Sequence, residues 1–158
     1  MYEKLTKSDV KKIQEEIEQR KLVVRKQAIE TVKEAREYHA AKKDKNKNES
    51  RIRYLERMLK TAVVVQDTSR EDEVGINNTV ELYCEDDDEV ETYRLVTSVR
   101  GNSIDGRISI ESPIGKAILG HKLNDRVYVK VNNDFGYYVV IRKIIKTQNE
   151  ENDKIREF

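Results

Sequence analysis

Ile108-Ser-Ile-Glu-Ser-Pro-Ile-Gly-Lys-Ala-Ile-Leu-Gly120 changes its periodicity at its midpoint. Apolar and polar residues alternate from Ile108 to Glu111. Beyond the turn, Ile114, Ala117, Ile118 and Leu119 fall at helical spacing until Gly120. A period of 2 followed by a period of 3.6 predicts a strand, a turn at Ser112-Pro113 and a short helix stopped by glycine. Pro113 is the chain's one proline. Its ring restricts φ, so the turn is expected to hold one shape.

Outward from this segment the pattern is that of a sheet. Thr79–Cys84 and Glu91–Val96 read as strands joined by a turn at Asp86–Asp88. Arg107–Glu111, Arg126–Val131 and Tyr137–Ile145 add three more, with Asn132–Gly136 as the turn of a last hairpin. A small, mostly antiparallel sheet carrying one short helix follows. Cys84, the sole cysteine, falls on a strand as a core residue, and no intrachain disulfide is possible.

Residues 1–65 contain neither glycine nor proline. Thr6 or Ser8 can cap a first helix, with Asp9 in its first turn. Val10, Ile13, Ile17, Val24, Ala28, Val32 and Ala35 form one apolar stripe, interrupted at Arg20. Ile52, Leu55, Leu59 and Ala62 form a second. Two narrow stripes with charged flanks predict an antiparallel helical hairpin. Lys42 to Arg51 contains no apolar side chain. We therefore expect the first helix to persist to about Ala41, with residues 43–49 as loop or frayed helix, where Asn and Asp favour turns.

Charged residues make up 39% of the 158 residues and hydrophobic ones 37%, which is polar for one compact globule. The formal net charge of +1 conceals a basic stretch over residues 20–60 and the acidic run Glu85–Glu89. Lys42, Lys43, Lys45, Lys47 and Arg51 are candidates for a basic patch facing nucleic acid or an acidic wall. The acidic run reads as a charged hairpin turn, since its spacing does not match a calcium loop. His39 and His121 are too few and too far apart for a metal site. No apolar run approaches membrane-spanning length, so a cytosolic, soluble protein without membrane contact is expected.

Four segments together resemble the GreA/GreB transcript cleavage factors of bacteria: Leu5-Thr6; Glu34–Ala41; Arg51–Glu56 with Ala62–Asp67; and Ile108–Gly120 followed by Asp125–Val129. The resemblance implies an α+β protein. An N-terminal antiparallel coiled-coil hairpin (1–66) would be followed by a linker (67–74), an FKBP-like antiparallel β-sheet domain with a short helix (75–146) and a charged tail (147–158), frayed or weakly helical. It implies RNA polymerase as partner, with the C-terminal domain at the rim of the secondary channel and the coiled coil inside it. Nascent RNA or other nucleic acid within that complex would then be a neighbour of the basic patch. Ser112, Pro113, Ile114 and Gly115 become the docking loop. In that family two acidic residues at the hairpin tip help hold a catalytic magnesium ion.

At the tip this chain departs from the family. Ala35-Arg-Glu37 runs directly into Tyr38-His-Ala-Ala41, and the intervening family segment, with its glycine and both acids, is missing. A competing alignment sets Glu34 against one tip acid and Thr31 against the other, which still leaves one carboxylate absent. Glu30, Glu34 and Glu37 remain as candidate tip acids; spaced by four and three, they share a helix face. Carboxylates on a helix flank do not converge on an ion beyond the tip. The expected function is therefore a polymerase-binding regulator that does not stimulate cleavage, is not an enzyme and uses no cofactor. An active cleavage factor with a rearranged tip is the alternative. An FKBP-like isomerase or chaperone is a distant third, because the β region has no Trp and only Phe135 before the tail.

Overall fold

The computed structural model describes residues 3–34 and 38–157, with the side chains at 28, 31–34, 38 and 39 outside the description. It divides into two compact units that meet in sequence between Val64 and Val65.

The first unit opens with β1 (Glu3–Leu5), whose partner is β2 (Ala62–Val64) in a parallel pair. Strands this short carry no periodicity, and this pair was not foreseen. Helix α1 (Lys7–Gln19) begins at a capping box: Asp9 N–H donates to Thr6 Oγ1 at 3.2 Å, and Thr6 N–H donates to Asp9 Oδ2 at 3.0 Å. The cap is thus Thr6 rather than Ser8.

Next comes a π turn, Arg20–Val24, in which the Arg25 N–H donates to the Arg20 carbonyl. It leads into α2 (Arg25–Glu34). Arg20 occupies a place that the apolar stripe reserves for a hydrophobe, and the helix widens where this polar group must be accommodated. Leu22, within this turn, stands 65% exposed.

Helix α3 (Tyr38–Lys60) corrects the expected hairpin. It runs unbroken through residues 43–49, and it, not the first arm, holds residues 38–41. Pattern reading failed because a stretch without apolar residues need not be a loop. Lysine and glutamate are good helix formers, and charge pairs across the arms replace apolar packing. Glu16 meets Arg51 and, further along, Arg20 meets Asn48, so the arms run antiparallel, and Arg25–Glu49 and Lys21–Glu56 add charge pairs between them. The apolar core of this unit is Leu5, Ile13, Ile52, Leu55 and Met58. Met58 fills the place expected for Leu59, which is only half-buried.

The second unit is a curled five-stranded sheet in the order β5-β4-β3-β7-β6. Its strands are β3 (Thr79–Cys84), β4 (Glu89–Val96), β5 (Arg107–Ser109), β6 (Arg126–Lys130) and β7 (Gly136–Ile145). All neighbours are antiparallel except β4 and β5, which pair in parallel across the 97–106 connection. Val80, Leu82, Cys84, Leu95, Val127, Val129, Val139 and Ile141 alternate inward. Helix α4 (Pro113–Ile118) closes this core with Ile118, and Gly120 follows at φ +83°, a conformation that ends the helix without Cβ strain.

Two segments expected to be loose belong to this packing. In 67–74, Val74 is buried, and the Lys146 ammonium, with three N–H groups, lies 2.6–2.9 Å from four acceptors, Ser69 Oγ, the Arg70 and Glu73 carbonyls and Asn78 Oδ1. In the tail, Asp153 is buried among arginines instead of frayed. Charge composition alone did not separate a solvated tail from one that neutralises buried cations.

Candidate functional site

The turn around Pro113 is built from hydrogen bonds that the sequence Ser109…Ser112-Pro-Ile-Gly115 supplies. Ser112 is the N-cap of α4: its hydroxyl accepts from the Gly115 N–H at 3.1 Å and donates to the Ser109 carbonyl at 2.6 Å. Pro113 takes the first helical position, where a missing N–H costs nothing. Ser109 Oγ pairs with Ser98 Oγ at 2.8 Å, tying the turn to the neighbouring 3₁₀ segment Ser98–Arg100.

The four predicted docking residues therefore divide. Pro113 is exposed and Ser112 half-buried, while Ile114 packs against the core. Gly115 is buried, and a Cβ there would lie 2.0 Å from the Ser109 carbonyl oxygen. Gly115 thus corrects the expectation: it shapes the turn and offers a partner no surface. Glu111 and Lys116, which sequence reading did not single out, flank Pro113 on the exposed side.

On the hairpin the structure breaks up the expected basic patch. Arg51 is 4% exposed and donates from Nε to Glu16 Oε2 at 2.9 Å, so it faces the partner helix rather than nucleic acid. Arg20 joins the same carboxylate at 2.9 Å and reaches Asn48 Oδ1 at 2.8 Å. Burial would raise the Glu16 pKa, but hydrogen bonds from Arg51 and Arg20 outweigh it and hold the carboxyl below its ordinary value. Lys42, Lys43 and Lys47 are exposed and Lys45 is half-buried. Lys43 and Lys47, four apart, share one side of α3, and Lys42 and Lys45, three apart, share another. The arm carries a basic belt, not one patch.

Of the candidate tip acids, Glu30 lies exposed on α2, Glu34 is the last described residue on that helix, and Glu37 lies outside the described residues. Among the described residues no group of three or more His, Cys, Asp or Glu is placed to hold a metal ion. A hard divalent ion needs several converging oxygens, and one carboxylate on a helix flank does not fit it. His121 instead contacts Asp125 at 3.1 Å, and burial pushes the Cys84 thiol pKa up, away from reactivity.

A charged helical hairpin joined to a curled mixed sheet defines a two-unit α+β protein whose accessible features are an exposed proline turn and a basic arm. Residues 3–64 match the N-terminal model of the transcription elongation factor GreA/GreB, and residues 68–146 match the C-terminal model. The chain belongs to the GreA/GreB family of transcription elongation factors. It is 38% identical to the transcription elongation factor GreA of Chloroherpeton thalassium, over 90% of this chain and 96% of that one. With GreA of Thermoanaerobacter pseudethanolicus it shares 40% identity, over 80% and 87%. Among solved structures, GreA factor homolog 1 (Gfh1) of Thermus thermophilus is 27% identical across 91% of this chain and 99% of that one, at a TM-score of 0.41.

Proposed function

We propose that the chain binds RNA polymerase at the rim of its secondary channel through the turn around Pro113. Its shortened hairpin enters the channel, where it modulates elongation or initiation without stimulating transcript cleavage. It acts as a cytoplasmic factor on the enzyme and is not an enzyme itself. Among the described residues no helix is long and apolar enough to cross a membrane.

The observation that carries this reading is the junction of the arms. The described part of α2 reaches Glu34 and that of α3 starts at Tyr38, and the sequence between them is Ala35-Arg36-Glu37, with a single carboxylate. An acidic pair that shares an ion needs both carboxylates in that short span. Glu34 and Glu37, three apart and next to the junction, favour the second reading, an active factor with a rearranged tip.

Competition tests the proposal. On backtracked polymerase, excess of this protein is expected to suppress cleavage stimulated by an active GreA, and Pro113→Asp is expected to lose that suppression. Undiminished cleavage at saturating excess would contradict it.

A further inference from the structure

We infer that the C-terminal tail is a strap that positions the turn around Pro113, with Asp153 as the positioning residue. This rests on the reading of that turn as the polymerase-docking surface. The match to the C-terminal family model ends at residue 146, so residues 147–157 lie beyond the matched region.

The turn hangs on a short element. β5 is three residues long, lies at the sheet edge and pairs with β4 in parallel over those three residues. So short a parallel pair holds little by itself. Yet its last residue, Ser109, carries the turn: the Ser109 carbonyl accepts from the Ser112 hydroxyl at 2.6 Å and lies against Gly115. Drift of β5 would therefore carry Pro113 with it. Two contacts tie β5 to the 3₁₀ segment Ser98–Arg100. Ser98 Oγ and Ser109 Oγ lie 2.8 Å apart, and Arg107 Nε donates to the Arg100 carbonyl at 2.9 Å.

The tail in turn holds that segment. Asp153, 7% exposed, accepts from Arg94 Nη1 on both oxygens, at 2.8 and 2.7 Å, and from Arg100 Nη1 at 2.8 Å. Arg94 stands on β4, and Arg100 ends the 3₁₀ segment. One tail carboxylate therefore clips the segment to the strand that β5 pairs with. Glu150 adds a second anion to the fully buried Arg100, at 2.8 Å. The Arg156 N–H donates to the Val99 carbonyl at 2.6 Å, inside the same segment. A buried guanidinium keeps its place only beside a fixed anion, and charge-assisted hydrogen bonds fix direction as well as distance. From Asp153 the path runs through Arg100 and Ser98 to Ser109, and so to the cap of α4.

Amide hydrogen exchange and the competition assay on backtracked polymerase, both with the full chain, test the strap. Asp153→Asn removes the charge that clips the two arginines. Ser98→Ala cuts the link to β5 without touching a charge, and decides the matter should Asp153→Asn fail to fold. The Gly115 and Lys116 N–H groups, which donate to the Ser112 hydroxyl and carbonyl, report on the turn. In both variants they are expected to exchange about tenfold or more faster relative to the amides of β3 and β7. Suppression of GreA-stimulated cleavage should then need about fivefold more protein, because the turn spends less time in its binding shape. Unchanged exchange at Gly115, or an equal rise throughout the sheet, would overturn the inference. So would faster exchange with undiminished suppression where Pro113→Asp still loses it. If the turn exchanged faster and neither these variants nor Pro113→Asp lost suppression, the docking reading would fall and the strap would stand.

Discussion

At Gly115 the backbone of α4 crosses the end of β5 so closely that any side chain would meet the Ser109 carbonyl. Gly115→Ala is expected to lower stability by about 2 kcal/mol in chemical denaturation, because two backbones cannot retreat as a flexible side chain can. Glu16 is the corresponding residue of the hairpin. Glu16→Gln removes the anion facing Arg51 and Arg20, and about 1–2 kcal/mol of stability should go with it near neutral pH. The carboxyl's folded pKa is depressed below 4.5. Its contribution is therefore fully present above that ordinary value and lost as pH falls through the lower folded value. Thermal unfolding between pH 6 and 2.5 should show wild type and Glu16→Gln converging at the acid end; a constant gap would contradict this role. At this scale the sequence showed residue types but not their direction. Arg51 reads like its basic neighbours, and only the facing Glu16 shows that it points inward.

The strands of the five-stranded sheet were the most legible elements, unlike the short β1–β2 pair. Thr79–Cys84 was read to its observed bounds, and the others to within two residues, because alternation and turn residues agree there. The switch from strand to helix across Pro113 was equally readable. The arms were not, since in α3 ion pairs take over from apolar spacing, and the π turn is invisible to a 3.6-residue template. That turn acts as one inserted residue that keeps the helix on either side in phase. Deleting Leu22, which is largely exposed, should therefore leave helical content and melting temperature near wild type. Deleting Arg53 from the regular α3 should throw the following turns out of phase and lower the melting temperature by several degrees, about what a 1–2 kcal/mol loss produces. Equal losses would show that the π turn does not have this role.

For the whole molecule, the high charge content follows from the architecture rather than from disorder. The hairpin hides a narrow core and exposes the rest of two helices, and the sheet unit uses its arginines and tail acids internally. Family membership was legible because four short segments, three in or beside the hairpin and one in the proline turn, follow one another in the family's order. The exposed proline turn was legible, whereas the cluster of Arg94, Arg100 and Asp153, made by residues distant in sequence, was not. The central claim concerns the hairpin's end, where one carboxylate stands between α2 and α3. The measurement that reaches it directly is transcript shortening in purified backtracked elongation complexes with magnesium and this protein alone, beside an active GreA. The account predicts a cleavage rate equal to that of polymerase without any factor. Stimulated shortening that Glu34→Gln and Glu37→Gln abolish would contradict it.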